Sequence, residues 1–386
     1  MTLLARSRTP VVLLLLAVVA IAACAPSSGG AAKPAPPTTG QSHAAAPASP
    51  SLSPAALGGP GGAPAAKPAA LQKVRYGNLL LLSDAGVYLG MEEGYFAEQG
   101  IEVDLTSFDS AANMVAPLAT NQIEAGGGAP SAGLYNALRS GVNVRIVADK
   151  GHSDATPPGF PVSIYVVRKE LVDSGRVRGV ADLKGLRYAQ PARGISPEVD
   201  VAELLKEGGL TLSDLDTTIM GFPDQVPAFA NGNLDFAFSV EPFATIMLNQ
   251  GTVMRARYDY EFNPNHQVAV LLFSPEFSRS ELGTKFMTAY LKGVRLYNDA
   301  FVKRLPAARE KAVDALIKNT PVKNRPLYDQ MTLSALDPNG RMNLQSFEIQ
   351  QDWFVSTGAQ QGRVDLAQFI DLQHIEAAAA QLGPYR

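Results

Sequence analysis

From Lys73 to the end of the chain, apolar and polar positions alternate in short blocks that switch between strand and helix periods. Val74-Arg75-Tyr76-Gly77-Asn78 predicts a strand, and residues 83–96 predict a helix opened by the polar pair Ser83-Asp84. Ile101-Glu102-Val103-Asp104-Leu105 alternates at period two, the pattern of a half-buried strand. The same rhythm returns at Val144-Arg145-Ile146-Val147-Ala148, Ser163-Ile164-Tyr165-Val166-Val167, Leu186-Arg187-Tyr188-Ala189, Thr218-Ile219-Met220 and Asp235-Phe236-Ala237-Phe238, with helical stretches between. Such alternation predicts an α/β class with helices on a mostly parallel sheet. The last third is more helical. Phe286, Tyr290, Val294, Tyr297 and Phe301 recur at helical spacing, and Ala312, Leu316 and Ile317 continue the stripe after Pro306. These stripes read as core.

An internal repeat refines the picture. Residues 118–126, Leu-Ala-Thr-Asn-Gln-Ile-Glu-Ala-Gly, align with residues 229–237, Phe-Ala-Asn-Gly-Asn-Leu-Asp-Phe-Ala. Each copy reads as a helix end, a polar turn, an acidic residue opening a buried strand, and a loop into another helix. The loops are Gly128-Ala129-Pro130-Ser131 and Ser239-Val240-Glu241-Pro242. One copy per lobe would set these loops facing each other across a cleft, where open α/β sheets bind ligands. Chance similarity of two strand–helix units is the alternative.

The N-terminal end follows other rules. Arg6 and Arg8 precede an apolar run from Val11 to Ala20, and Ile21-Ala22-Ala23-Cys24 follows. A positive segment, an apolar core and small residues before a cut site mark a secretory signal peptide over residues 1–23. The ending resembles the lipobox of bacterial lipoproteins, in which Cys24, the chain's only cysteine, would carry the lipid. Residues 24–72 are then a lipidated cysteine and a tether of Ala, Pro, Gly and Ser, whose only charges are Lys33 and Lys67. That composition buries too little apolar surface to offset ordering entropy and is expected to be disordered, with a reach of roughly 40 Å. Loss of Arg6 and Arg8 with the signal makes the formal net charge of −3 more negative by two, so nothing argues for nucleic acid.

Residues 73–386 then carry a family resemblance. Residues 87–96 followed by Gly100-Ile101-Glu102-Val103, the turn at 118–126, Ala181-Asp182-Leu183-Lys184-Gly185, residues 230–237, Glu241-Pro242-Phe243, Leu336-Asp337-Pro338-Asn339-Gly340 and residues 353–358 occur in an order similar to that of bacterial solute-binding proteins for nitrate, sulfonate, taurine and thiamine precursors. The resemblance implies a type II periplasmic-binding fold: two α/β lobes joined by two crossing strands, preceded by the tether. The repeat, with one strand–helix unit on either side of the crossing at Val162–Val167, then puts residues 73–167 and 267–386 in lobe 1 and residues 168–266 in lobe 2. The resemblance implies a receptor that hands a small-molecule ligand to the permease subunits of an ABC transporter; the signal, Cys24 and tether suit that role independently, and the expectation is a lipid-anchored, extracytoplasmic, monomeric protein. No cofactor is implied.

Capture would work by closure of the lobes on ligand. One wall would carry Ser83, Asp84, Asn113, Pro130 and Ser131, and the other Arg193, Ile195, Ser196, Phe222, Asp224, Glu241 and Phe243. Each has a purely structural alternative. Ser83, Asp84 and Ser196 suit plain helix caps, Asp224 and Glu241 suit helix starts, and Phe222 and Phe243 suit a core. Arg193 is the best candidate for an anionic group, with a solvated loop as the alternative. Lys150-Gly151-His152 reads as a solvated loop near the rim.

Enzyme readings lack support. There is no G-x-S-x-G, H-E-x-x-H, G-x-x-x-x-G-K-[ST] or dinucleotide fingerprint. Gly126-Gly127-Gly128 lacks the lysine and hydroxyl of a phosphate loop, and His43, His152, His266 and His374 are too scattered for a metal cluster. The expectation is a receptor for a sulfonate-like, pyrimidine, flavin or other aromatic solute; the cleft candidates hold several acids and few bases, which speaks against a very small inorganic anion. The alternative is a sensor or structural lipoprotein that presents the same fold to a protein partner.

Overall fold

Within residues 70–386, the part of the chain that the computed structural model describes, ten strands fall into two five-stranded sheets. In chain order they are β1 (Gln72–Asn78), β2 (Ile101–Ser107), β3 (Ala125–Gly128), β4 (Arg145–His152), β5 (Ile164–Arg168), β6 (Arg187–Gln190), β7 (Asp216–Ile219), β8 (Phe236–Ser239), β9 (Val253–Tyr258) and β10 (Gln267–Phe273). The signal segment, Cys24 and residues 25–69 of the tether lie outside the described residues.

The first sheet has the order β2-β1-β3-β10-β4 and the second β7-β6-β8-β5-β9. The two correspond position by position. In the first, β1 runs parallel to β2 and β3, and β10 runs antiparallel to β3 and β4. In the second, β6 runs parallel to β7 and β8, and β5 runs antiparallel to β8 and β9. The chain passes from one sheet to the other through residues 153–163 and returns through 259–266. Residues 164–167 therefore belong to the second sheet, not to the first lobe in which the sequence reading put them. Their apolar run suits a strand buried on both faces in either sheet, and only pairing with β8 and β9 decides between them.

The repeat is reproduced bond for bond. In the first sheet, the Arg75 backbone N–H and Nε donate to Glu124 Oε2 at 2.7 and 3.0 Å, and Nη2 donates to the Asn121 carbonyl at 2.9 Å. In the second, the Arg187 backbone N–H and Nε donate to Asp235 Oδ2 at 3.1 and 2.8 Å, and Nη2 donates to the Gly232 carbonyl at 2.7 Å. Each arginine thus ties its strand, one residue before the shared ladder begins, to the acidic residue that precedes the neighbouring strand. Each turn passes through a left-handed residue, Asn121 (φ 55°) or Gly232 (φ 68°), as such a tight reversal requires.

The long helix Glu281–Phe301 supplies the first lobe's core. Phe286, Tyr290, Val294, Tyr297 and Phe301 are buried against β1, β10 and the helix Pro306–Asn319, as the stripe predicts. The expected helix over 83–96 is in pieces: a 3-10 turn Leu82–Asp84, a helix Ala85–Glu92 and a short helix Tyr95–Glu98. Gly94, at φ 75°, interrupts it, because a left-handed residue cannot continue a right-handed helix.

The helix Ala85–Glu92 meets the long helix where glycines let the backbones approach. A Cβ placed on Gly293 would lie 2.0 Å from the Gly86 carbonyl oxygen and 2.9 Å from the Gly90 nitrogen. Backbone cannot swing aside as a side chain can. Gly293→Ala gains roughly 0.5–1 kcal/mol of helix propensity, yet overpacking costs about 1–3 kcal/mol. The variant is expected to be less stable, seen as a lower urea midpoint with unchanged slope; a midpoint at or above that of the parent would refute the close-approach argument.

Candidate functional site

Loops from both sheets enclose one cleft, with about 910 Å³ of space free of protein atoms, part of it open to solvent. Its walls are mainly apolar: Leu79, Leu81 and Val268 face it from one lobe, Phe222 and Phe238 from the other, and Val162 from the crossing segment. The lobes meet around it. The Ala132 N–H donates to the Gly194 carbonyl at 2.8 Å, and the Ser196 N–H to the Pro130 carbonyl at 3.2 Å. Gly194 is left-handed, and a Cβ there would sit 2.9 Å from the Ala132 Cβ, so a glycine permits this approach.

Six of the predicted site residues line the cleft together: Ser83, Ser131, Arg193, Ile195, Phe222 and Glu241. Ser131 is also an ordinary cap, its Oγ accepting the Leu134 N–H at 3.1 Å. Asp84 lies behind the lining, fully buried. Pro130, Ser196 and Phe243 are buried beside the cleft but not in its lining; Ser196 Oγ donates to the Val268 carbonyl at 3.2 Å across the lobes. Phe243 stacks behind Phe222, with centroids 6.3 Å apart and planes 17° apart. Asn113 and Asp224 are exposed and outside the lining. Around Asn113, Asp109, Ser110, Ala111 and Ala112 take the place expected for it, because the turn Ala111–Met114 presents its first residues to the cleft.

Lys150 overturns the expectation of a solvated loop. It lies within β4, its side chain is 1% exposed, and it lines the cleft. Nζ donates to Ser83 Oγ at 2.9 Å and stands 3.1 Å from Asp84 Oδ1. The same Asp84 oxygen accepts the Tyr76 hydroxyl at 2.9 Å. Burial, and then the Asp84 charge, hold the Tyr76 phenol well above its ordinary range, so it remains a donor. Gly127 makes room for this cluster: a Cβ there would fall 2.3 Å from Lys150 Cε and 2.8 Å from Asp84 Oδ1. Of the three glycines of β3, Gly127 alone is the sequence signal for the buried lysine; a Cβ on Gly126 or Gly128 would meet Met114 or Leu272. His152 turns instead to Asp149, with Nδ1 3.2 Å from Oδ1. Among the described residues, no group of three or more His, Cys, Asp or Glu could hold a metal ion.

Glu241 joins the lobes. Its Oε1 accepts the Thr245 hydroxyl at 2.8 Å and, from the other lobe, the Thr332 N–H at 3.0 Å; Oε2 accepts the Thr245 N–H at 3.1 Å. It is thus both the helix-start residue of the structural reading and part of the cleft wall. Burial pushes its carboxyl from the ordinary 4.5 up to about 7, against the pull of those donors. An acid whose folded-state pKa is raised stabilises the fold below its ordinary pKa and loses that contribution as pH rises toward the folded value. Stability should therefore fall between about pH 4.5 and 7 through this group. Relative to the parent, Glu241→Gln should become more favourable by on the order of 3 kcal/mol between pH 4 and pH 8. Denaturant midpoints of both proteins at the two pH values check this; a pH-independent difference would remove Glu241 as the source.

A model of the NMT1/THI5 like family matches residues 83–300, more than half of the chain. No curated protein matches by sequence. Among solved structures, the chain is similar to the alkanesulfonate-binding protein SsuA from Xanthomonas axonopodis pv. citri bound to MOPS, at 18% identity over 79% of this chain and 100% of that one, with TM-score 0.61. It is similar to the periplasmic nitrate-binding protein NrtA from Synechocystis PCC 6803, at 13% identity over 81% of this chain and 89% of that one, with TM-score 0.65. The desulfurization enzyme DSZB is also similar, at 15% identity over 81% of this chain and 99% of that one, with TM-score 0.55. At these identities the likeness is one of fold, and it shows the two-lobed periplasmic-binding-protein architecture. With the match over residues 83–300, the chain belongs to the NMT1/THI5 like family.

Proposed function

We propose that the chain is the lipid-anchored, extracytoplasmic solute-binding component of an ABC importer, and that it captures a small organic solute between its lobes. The observation that carries this reading is the cleft itself. It lies between two sheets of matching topology, is walled by apolar side chains from both, and is closed by hydrogen bonds between loops of opposite lobes. Two chain crossings, at 153–163 and 259–266, are the natural hinges. A ligand that contacts both walls favours the closed arrangement by its difference in affinity for the two states. The solved relatives include binding proteins for an alkanesulfonate and for nitrate, which supports a transport role. Cys24 and the Ala/Pro-rich tether supply the anchor in this reading, and no helix among the described residues is long and apolar enough to cross a membrane.

Native mass spectrometry of the purified protein should show a retained solute, and adding that solute back to stripped protein should raise its melting temperature. Ligand at a hundredfold excess over Kd stabilises the native state by about 2.7 kcal/mol. Because the fold is shared with a desulfurization enzyme, the solute is also assayed for turnover. A protein that retains nothing and is stabilised by no small organic solute, or that converts its solute, would sink the receptor reading.

Cys24→Ser should leave the body folded while moving it from the membrane fraction to the soluble fraction. Several acyl chains, at roughly 0.8 kcal/mol per buried methylene, are the attachment proposed here. Persistence of the variant in membranes after high-salt washing would contradict the anchor.

A further inference from the structure

The charge balance of the cleft extends the receptor reading, on which this inference rests, to the class of ligand. Two cationic groups border the cleft, Lys150 and Arg193, against the acids Asp109 and Glu241. Arg193 and Asp109 are exposed, so water and salt screen them at the mouth. Inside, Lys150 is the one buried cation of the lining, and Asp84 stands 3.1 Å from its ammonium. The lysine charge is thereby balanced before any ligand arrives.

An ammonium has three N–H donors. Ser83 Oγ takes one, and Asp84 Oδ1 is placed to take another. Among the described residues these are its only polar partners, and the side chain borders the cleft, so one donor remains for a ligand. Around it the walls are apolar, with the Phe222 and Phe238 rings edge to face at a centroid distance of 5.4 Å. An anion entering this space would give up its hydration for a cation that is already paired, which is a poor exchange. A carbonyl oxygen gives up far less.

We propose that the cleft selects an uncharged, largely apolar solute, with an aromatic or similar flat body, whose carbonyl-type acceptor takes the third N–H of Lys150. Small carboxylates, sulfonates and nitrate are discriminated against. Lys150 is the specificity-determining residue, and Asp84 acts through it by cancelling its charge.

Benzamide, benzoate and benzenesulfonate share a ring and differ in the charge of the polar end. Titrated calorimetrically into the mature full-length protein stripped of bound solute, benzamide should bind at least about tenfold more tightly than either anion, a difference of about 1.4 kcal/mol. The double variant Asp84→Asn/Lys150→Met removes both charges together, so no buried ion is left without its partner. It should bind benzamide about tenfold more weakly, with a cooperative thermal transition confirming the fold. Anions binding as tightly as benzamide, benzamide affinity unchanged in the folded double variant, or no binding of any probe at millimolar concentration would each overturn the proposal. The two readings fail separately. A retained natural solute that proves anionic would sustain the receptor while refuting the neutral ligand.

Discussion

Much of this structure depends on burying one ion pair, Lys150 with Asp84. Moving two charges out of water costs several kcal/mol per ion, and their mutual attraction offsets this only when further hydrogen bonds complete both groups. The fold supplies them. Ser83 accepts from the ammonium, and Tyr76 donates to the carboxylate from β1. Strand β3 must then pass the pair with no side chain at position 127, which accounts for Gly127. A strand register, a 3-10 turn and the glycine at position 127 are held to one geometry by the need to satisfy two charges. The same geometry sets a lysine donor at the edge of a mainly apolar cleft.

A second constraint is used twice. Arg75 with Glu124 and Arg187 with Asp235 each join two parallel strands just before their shared ladder begins, and each arginine also holds the carbonyl of the turn before the second strand. With that register fixed, the C-terminal ends and the loops that follow them are fixed too. The loops after β3 and β8 carry Ser131 and Glu241 to opposite sides of one cleft, as expected where ligands gather at the carboxyl ends of α/β strands. The matched sheet orders show the clamp serving as the register of a repeated unit.

The site is therefore a product of turn chemistry and long-range compensation in different proportions. Ser83, Ser131, Arg193, Ile195, Phe222 and Glu241 were legible because they sit at strand ends or helix starts, positions that polar and apolar patterning marks locally. Asn113 and Asp224 carry the same local marks and still face solvent. Which side of a turn meets the other lobe is set by lobe packing, and a turn's own residues do not encode it. Phe243 failed for a related reason: Phe222 stands between it and the cleft, and two rings with similar flanks cannot both be the surface layer.

The amino-acid sequence by itself determined the alternation of strands and helices, the repeated turn-to-strand unit, the apolar stripe of the long helix, and the change of composition after the N-terminal segment. All of these rest on periodicities and turn preferences that act over a few residues. Only the tertiary structure decided that residues 164–167 pair in the second sheet, and that Lys150 is a buried cation where a solvated loop was expected. Strand partners and charge partners are chosen across the whole chain; the serine that holds Lys150 is 67 positions away. A lysine beside a glycine looks the same locally whether its ammonium meets water or a buried carboxylate, and the packing of distant segments makes that choice.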